Sequence, residues 1–323
     1  MEQLNWGILG TGQIAHEMGA ALKAVNGGIY AVCGTSIEKA EAFRQEFGTE
    51  KAYGSAAEML ADEHIDIVYI AKPHNSHDTW IMEALKAGKH VFCEKSITVN
   101  SRQLEACVAL AQEKGLVICD GTTLLHMPLY KKLKQIIEDG AIGDIKMVQV
   151  NFGSCKEYDV RNRFFSKDLA GGALLDIGVY AVSFARYFMK SRPDTVLTTA
   201  NYFETGVDET SGILLKNPDG EMAVIALTMR AKQPKRGVVA GEKGFIEINN
   251  YPRAQQAVIT YTSDGHTEVV EAGRTEDALQ YEVLDMQDYV RNRGGQENLC
   301  MVRDVMKTLT AVRNQWGLVY PFE

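Results

Sequence analysis

The first 121 residues alternate short apolar runs with longer segments in which apolar residues recur at helical spacing. The runs that predict strands are residues 6–9, 29–33, 67–70, 90–93 and 116–119. Neighbouring parallel strands need long crossover connections, and helices between the strands supply them. The alternation therefore predicts an α/β domain over residues 1–121, with a doubly wound parallel sheet and helices on both faces.

The first strand leads directly into a glycine-rich turn, GILGTGQIAHEM. Gly10, Gly12 and Ala15 form a GxGxxA pattern, in which the first glycine permits a tight turn and the second lets a pyrophosphate approach the backbone. Because the turn follows a strand and opens a helix, it predicts a Rossmann-type dinucleotide site. The residues predicted to hold the dinucleotide here are Gly10, Thr11, Gly12, Gln13 and Ile14.

The end of the second strand, AVCGTSIEKAEAF, bears on which dinucleotide binds. An Asp or Glu at this position would hold the 2′-hydroxyl of NAD and repel the 2′-phosphate of NADP. Gly34, Thr35 and Ser36 stand there instead, and Lys39 follows one helical turn later. These residues favour NADP, with NAD as the alternative because the tip carries no arginine. Thr35 and Ser36 are equally compatible with a simple helix N-cap.

The second half of the chain has a different pattern. A helical segment and a strand over residues 145–154 are followed, from about residue 195, by alternating runs separated by the turns NPDG, GEKG and SDG. We expect residues 122–323 to form an α+β domain for substrate binding and dimerisation, with a large open, mainly antiparallel sheet, the helix over residues 172–189 on one face, and two helices near the end. A bare outer face would expose an apolar patch, which predicts a homodimer.

Composition limits the partners. The 323 residues are 46% hydrophobic, enough for two domains, and the net charge of -8 argues against nucleic acid or an anionic membrane. No apolar run approaches the roughly 20 residues that span a bilayer, and the first residues lack the pattern of a signal peptide, so we expect a cytoplasmic protein. The six cysteines lie apart, without CxxC pairs, which predicts buried free thiols and no metal site.

Two longer stretches, VYIAKPHNSHDTWIMEALKAGKHVFCEK and LAGGALLDIGVYAVSFARYF, add to the glycine turn. Together the three resemble the Gfo/Idh/MocA family of NAD(P)-dependent oxidoreductases, and the likeness follows nearly the whole chain in the expected order. Within the family the sequence most resembles the branch of dimeric dihydrodiol dehydrogenase and D-xylose dehydrogenase. That branch carries tyrosine where inositol dehydrogenases carry histidine, and Tyr180 stands at this position.

The resemblance implies roles for individual residues. Lys95 matches the lysine of the EKP motif, which contacts the nicotinamide ribose and the substrate hydroxyl. Asp176 and Tyr180 match the DxGxY pair, whose tyrosine exchanges a proton with the substrate oxygen. The further cofactor contacts that we predict are Ala71, Pro73, His74, His77 and Glu94.

The chemistry of the predicted catalytic residues is consistent with these roles. Tyrosine, with an ordinary pKa of about 10, is a poor base at neutral pH, and a nearby lysine ammonium lowers that pKa. Lys95 and Tyr180 are therefore a plausible proton relay, in which Asp176 orients the lysine or a substrate hydroxyl. Taken alone, Lys95 is compatible with a solvated loop position and Tyr180 with a core or interface aromatic.

The sequence departs from the family pattern at two places. Ser96 replaces the proline of EKP, and this removes a restraint on the backbone of Lys95. Leu125 and His126 replace the usual arginine–phenylalanine pair, so the substrate is less defined. His126, Arg161 and Arg163 are candidate substrate contacts, although the two arginines fit a solvated loop equally well.

The sequence thus predicts an NAD(P)-dependent enzyme that transfers a hydride between the nicotinamide and a secondary alcohol or hemiacetal carbon of a sugar, cyclic polyol or vicinal diol. Two alternatives from other classes remain open. One is a non-catalytic NAD(P)-binding sensor or regulatory protein, which the presence of both Lys95 and Tyr180 argues against. The other is a hydrolase or lyase of similar architecture that retains its NAD.

Overall fold

A computed structural model describes residues 3–323. The chain divides into two compact units. The first contains the residues up to Gly121 together with Glu276–Leu299, and the second contains Thr122–Thr275 together with Cys300–Glu323. The first boundary falls at the residue that the change of sequence pattern indicates.

The first unit is built on a six-stranded sheet in which every pairing is parallel. Its strands, in chain order, are β1 (Trp6–Leu9), β2 (Ile29–Cys33), β3 (Lys51–Tyr53), β4 (Ile67–Ile70), β5 (His90–Cys93) and β6 (Ile118–Asp120). The order across the sheet is β3-β2-β1-β4-β5-β6, so the chain winds outward from β1 in both directions. This is the Rossmann-type arrangement predicted from the alternation of strands and helices.

One strand and one boundary differ from the prediction. The edge strand β3 has only three residues, all of them half-buried, so it lacks the apolar run by which a strand is recognised. Strand β6 begins at Ile118 rather than at Leu116. The carbonyl oxygen of Val117, just before the strand, accepts a hydrogen bond from the backbone N–H of Val91.

Helices connect the strands of the first unit. They are α1 (Gln13–Ala24), α2 (Ile37–Phe47), α3 (Ala56–Leu60), α4 (His77–Lys86) and α5 (Ser101–Lys114), and α8 (Ala278–Asn292) joins them from the end of the chain. Helix α4 ends shortly before Gly88, which adopts a φ of 77° that residues other than glycine rarely adopt.

Helix α8 packs with the first unit, whereas the sequence-based division assigned residues 276–299 to the second domain. Leu279, Val283 and Met286 are buried in the same apolar cluster as Trp6. Gln287 also donates to the carbonyl oxygen of Gly27, with Nε2 3.3 Å away. An apolar helical stripe predicts that a surface will cover it but does not say which surface.

The second unit is built on an eight-stranded sheet in the order β14-β13-β12-β11-β7-β10-β9-β8. Its strands are β7 (Ile145–Gly153), β8 (Thr195–Tyr202), β9 (Asp208–Lys216), β10 (Met222–Thr228), β11 (Gln233–Gly241), β12 (Gly244–Asn249), β13 (Gln256–Tyr261) and β14 (Thr267–Glu271). Only the β7–β10 pair is parallel, which agrees with the mainly antiparallel sheet that we predicted.

Three longer helices accompany this sheet. They are α6 (Pro128–Glu138), α7 (Val179–Phe188) and α9 (Gln296–Trp316). Helix α7 continues directly from a π-helical segment, Leu174–Gly178, and packs on one face of the sheet as predicted. Gly237 in β11 makes room for it, because a Cβ there would lie 2.2 Å from the ring of Phe184.

One helical segment, Lys167–Phe188, has the length and apolar character of a membrane span, which the sequence reading did not recognise. In this structure 83% of its apolar window is buried inside the protein. A core helix has these same properties, since it must present apolar residues on every buried side.

Candidate active site

The glycine turn after β1 has the geometry of a phosphate cradle. Gly10 has a φ of 129°, and a Cβ at this position would lie 2.5 Å from the carbonyl oxygen of Ala71, so only glycine fits. Gly12 differs, because a Cβ there would meet no protein atom within 4 Å. The space above Gly12 is therefore open to a ligand, as a dinucleotide site requires.

Helix α1 begins directly behind this turn. Gly12 occupies the N-cap position, no side chain caps the helix, and the first turn holds no acidic residue. Gln13 and Ile14 are the first helical residues, so their backbone N–H groups lie at the positive end of the helix dipole. Ala15 is fully buried, which permits close packing of the helix on the sheet.

A cavity of about 490 Å³ opens at this turn. Its lining residues are Gly10, Thr11, Gly12, His16, Thr35, Lys39, Ala42, Phe43, Glu46, Ala71, Lys72 and Pro73. Seven of the predicted cofactor residues are thus brought together from the ends of β1, β2 and β4. This volume lies within the range of small-molecule pockets, about 300–1,000 Å³.

The cavity wall carries both positive and negative groups. Lys39 and Lys72 contribute ammonium groups, and the Lys72 Nζ lies 5.9 Å from the centre of the Trp80 ring. Glu46 contributes a carboxylate that pairs with His16, with Nε2 and Oε2 3.3 Å apart. A phosphate is attracted by the two lysine ammonium groups and repelled by the Glu46 carboxylate.

Ser36 lies at the N-cap of α2, as the simpler interpretation of the sequence suggested. Its hydroxyl makes no capping hydrogen bond to the helix backbone. A hydrogen bond with Ser36 lowers the pKa of Glu38, an exposed acid in the first turn. Thr35 lines the cavity and Ser36 does not, so the two residues are distinguished by their surroundings.

Strand β5 is followed directly by a buried acid, Glu94. Glu94 is 9% exposed, and its Oε1 accepts a hydrogen bond from the Tyr69 hydroxyl at 2.5 Å. Burial raises the pKa of the Glu94 carboxyl. Lys95 follows it and is half-buried, and the peptide bond between Lys95 and Ser96 is cis. Glu94 therefore anchors the strand end from which Lys95 projects.

Two histidines from the loop after β4 hold the loop after β5. The Nε2 of His74 lies 3.0 Å from the carbonyl oxygen of Lys95. The Nδ1 of His77 lies 2.8 Å from the carbonyl oxygen of Ser96, and its Nε2 lies 2.6 Å from that of Lys72. Both histidines are buried, and their contacts link them to the lysine loop rather than to open space.

The remaining predicted catalytic residues lie in the second unit. Asp176 is 6% exposed within the π-helical segment, and half-buried Tyr180 follows one turn later in α7. The Tyr180 ring packs 6.3 Å from that of Phe152, centre to centre. Arg163 approaches Asp176, with Nη1 and Oδ1 3.8 Å apart. The structure therefore brings one predicted substrate residue beside a predicted catalytic acid.

The other predicted substrate residues have different surroundings. Arg161 is exposed, and its guanidinium donates to both carboxylate oxygens of Asp159 at 3.1 and 3.0 Å. His126 is 1% exposed and ends a short 3₁₀ turn, where its backbone N–H donates to Thr123. Neither arrangement tests a substrate role, and both assignments stay predictions.

Sequence reasoning missed five cavity residues, the apolar Ala42 and Phe43 and the polar His16, Glu46 and Lys72. Lys72 was open to recognition, since it directly follows Ala71 at the carboxyl end of β4. His16 also carried a signal, because it stands one helical turn after Gly12, and its Nδ1 lies 3.0 Å from the Gly12 carbonyl oxygen. Glu46 is at the far end of α2, and no local pattern marks it.

The cysteines partly depart from the prediction. Cys33, Cys93, Cys107 and Cys119 are buried free thiols, but Cys155 and Cys300 are exposed. Across residues 3–323, no group of three or more His, Cys, Asp or Glu side chains is arranged to hold a metal ion.

A parallel sheet in this order, with a glycine turn, an uncapped helix start and a partly basic cavity, defines a dinucleotide-binding protein of the Rossmann class. The second unit adds a mainly antiparallel sheet.

Comparison with known proteins identifies the particular family. Residues 4–122 match the family described as "Oxidoreductase family, NAD-binding Rossmann fold", and residues 130–247 match the GFO/IDH/MocA C-terminal domain. The chain belongs to the GFO/IDH/MocA family and is an oxidoreductase that uses a nicotinamide dinucleotide. The predicted family, fold and enzyme class are confirmed.

Individual relatives agree with this assignment. A trans-1,2-dihydrobenzene-1,2-diol dehydrogenase from Xenopus laevis is 34% identical over 79% of this chain and 78% of its own length. A levoglucosan dehydrogenase solved with NADH and levoglucosan has a TM-score of 0.88 at 20% identity, covering 98% of both chains. A 3-ketoreductase from Actinomadura kijaniata solved with NADP and TDP-benzene has a TM-score of 0.86 at 24% identity, covering 97% of this chain and 98% of its own. The last two show the fold.

Proposed function

We propose that this chain is an NADP-preferring dehydrogenase that acts on a CH–OH carbon of a sugar, cyclic polyol or vicinal diol, or reduces the matching carbonyl. The observation that carries the cofactor proposal is the cavity at the glycine turn, where Thr35 and Lys39 stand at the end of β2 in place of an acid. The substrate class is supported by the dihydrodiol dehydrogenase relative and by the resemblance of the lysine and tyrosine motifs.

The residues around the glycine turn fit a dinucleotide. Gly12 leaves room for a pyrophosphate, and the first N–H groups of α1 are oriented to donate to it. When bound, the nicotinamide supplies the hydride acceptor or donor. Thr35 and Lys39 would bind the 2′-phosphate, with Lys72 adding positive charge on the same cavity wall.

The proton is the part of the reaction that side chains of this chain must handle. An alcohol carbon that loses a hydride must also lose its hydroxyl proton, so a base is required. We assign this step to Tyr180 and Lys95, which match the tyrosine and the lysine of the family motifs, and Asp176 lies one helical turn before Tyr180. The buried Glu94, bonded to Tyr69, holds the strand end that carries Lys95.

We also propose that the chain forms a homodimer through the sheet of the second unit. On the face opposite α7, Leu197, Leu214 and Val224 are neighbours in register on β8, β9 and β10. Leu197 is 59% exposed and Val224 is 42% exposed. Because these apolar side chains lie next to one another, the sheet face that they form favours association with the same face of a second copy, related by a two-fold axis.

The experiment that tests the activity is a cofactor-reduction screen. The purified chain is mixed with aldoses, inositols and trans-diols, each with NAD and with NADP, and the absorbance of the reduced cofactor is followed. We expect turnover with members of one class and a lower KM for NADP. Cofactor binding without turnover, or tight retention of NAD without net reduction, would instead indicate a sensor or a hydrolase.

Replacement of the lysine tests the proton relay. Lys95→Met removes the ammonium and is expected to lower kcat by about a hundredfold, within the range for loss of an acid–base group. Lys86→Met, at an exposed site on α4, is the matched control and should leave kcat unchanged. Turnover of Lys95→Met close to that of the unmodified enzyme would remove Lys95 from the mechanism.

A further inference from the structure

His77 connects two loops that carry different functions. Its side chain is fully buried, with Nδ1 2.8 Å from the carbonyl oxygen of Ser96 and Nε2 2.6 Å from that of Lys72. Lys72 lines the cofactor cavity, and Ser96 follows the predicted catalytic Lys95. Carbonyl oxygens only accept hydrogen bonds, so a neutral ring donates to one of the two loops and a protonated, positively charged ring donates to both.

His74 adds a second connection to the lysine loop. Its Nε2 lies 3.0 Å from the carbonyl oxygen of Lys95, and its ring packs edge-on against that of His77, with centres 5.6 Å apart. Two consecutive carbonyl groups, those of Lys95 and Ser96, are therefore each held by an imidazole nitrogen. Ser96 itself is fully buried, which leaves side-chain donors rather than water to meet its carbonyl.

This arrangement bears on how the lysine is aimed. The family's proline would restrict the backbone of the residue before it through its ring, and serine imposes no such restriction. Hydrogen bonds to the carbonyl of the Lys95–Ser96 peptide and to the carbonyl of the following peptide provide a restraint of another kind. Loss of a donor leaves the buried carbonyl without a hydrogen bond, and this weakens the restraint on the loop.

We infer that His77 is a positioning residue with two separable contacts: its Nδ1 side aims Lys95 through the Ser96 carbonyl, and its Nε2 side holds the backbone carbonyl of Lys72, a residue that lines the cofactor cavity. The inference rests on the proposed function, in which Lys95 takes part in proton transfer. His74 supports the same loop from the Lys95 carbonyl.

Two amide substitutions separate the contacts. In His77→Asn the amide nitrogen takes the place of Nδ1, and in His77→Gln it takes the place of Nε2, so each variant keeps one donor. We expect His77→Asn to keep kcat within about twofold while its Kd for NADPH rises about fivefold to tenfold, as the loss of one hydrogen bond predicts. We expect His77→Gln to keep the Kd and to lower kcat about tenfold or more.

A readout independent of turnover separates this inference from the proposed activity. Hydrogen–deuterium exchange of peptides covering residues 94–100 should speed up about tenfold in His77→Gln and stay near that of the unmodified protein in His77→Asn. This pattern supports the inference even if no substrate in the screen is turned over, a result that would contradict only the proposed function.

Other results would overturn the positioning role. Equal losses of kcat in both variants, or faster exchange throughout the first unit rather than in residues 94–100, would make His77 a general stabilising residue. Unchanged exchange and unchanged kcat in both variants would show that neither contact positions the lysine.

Discussion

Asp208 at the start of β9 predicts a pH-dependent stability that one substitution should remove. Its side chain is fully buried, and Oδ2 accepts a hydrogen bond from the backbone N–H of Leu174 at 2.7 Å. This contact caps the helical segment that carries Asp176 and Tyr180. The second oxygen, Oδ1, has no hydrogen-bond partner within residues 3–323 and faces Gly172, where a Cβ would lie 2.1 Å away.

Burial raises the pKa of Asp208 from 3.8 to about 7, although the backbone hydrogen bond at Leu174 and the charge of Arg313 oppose the rise. The nearby Arg313 is itself held by both oxygens of the Glu323 side chain, at 2.7 and 2.8 Å. The ring of Tyr320, packed against Arg313, also faces this region. Desolvation of the Asp208 carboxylate therefore remains the largest effect.

The direction of the pH effect follows from this raised pKa. The folded protein binds the Asp208 proton more tightly than the unfolded chain does. The contribution of protonated Asp208 to the free energy of unfolding is therefore fully present below about pH 4 and is lost as the pH rises through about 7. At about 1.4 kcal/mol for each unit of pKa, the ionised carboxylate costs about 4 kcal/mol. Asn at this position keeps an acceptor oxygen and cannot ionise.

The assay is urea denaturation of the full chain, followed by circular dichroism between about pH 5 and pH 8. The free energy of unfolding of Asp208→Asn minus that of the unmodified protein should rise by about 3 kcal/mol across this range. Asp219→Asn, at an exposed turn, is the control and should show no such slope. A difference for Asp208→Asn that stays constant with pH would refute the desolvation argument.

Three further predictions concern the cofactor and the assembly. Gly10→Ala should destabilise the fold by about 2 kcal/mol or more, because its Cβ would lie 2.5 Å from the Ala71 carbonyl oxygen. Gly12→Ala should keep the melting temperature of the unmodified protein and raise the Kd for the cofactor about tenfold, and equal effects in the two variants would contradict this prediction. Lys39→Met should raise the Kd for NADPH about tenfold in a fluorescence titration and leave that for NADH unchanged, and equal changes would end the NADP preference. Leu197→Lys should produce monomers in sedimentation analysis, unlike the control Val319→Lys at an exposed site outside the sheet; an unchanged assembly would exclude this face.

Several parts of the site were readable from local patterns. Gly10 and Gly12 follow a strand and precede a helix, and this order already predicts a phosphate cradle. Lys95 was recognised as a site candidate from its match to the lysine of the EKP motif. The absence of an acid after β2 is likewise visible in a single stretch of sequence.

Other parts depended on partners far away in the chain. Glu46 and His16 are 30 residues apart in the sequence, and no local pattern near either residue predicts that their side chains approach each other. Asp208 caps a helix that begins more than 30 residues earlier, and its raised pKa exists only because the surrounding chain excludes water. Burial and distant hydrogen bonds are properties of the folded chain, so a sequence pattern does not contain them.

The sequence by itself determined the fold class, the order of the strands along the chain, the glycine turn and the family. The fold class, the strand order and the glycine turn follow from periodicity and from backbone requirements that act over a few residues, whereas the family follows from the resemblance of three motifs. Only the tertiary structure decided that α8 packs with the first unit, that β3 completes its sheet, and that His74 and His77 hold the carbonyls around Lys95. These contacts form only when the chain folds, because apolar faces are then buried against one another and each buried carbonyl group needs a hydrogen-bond donor.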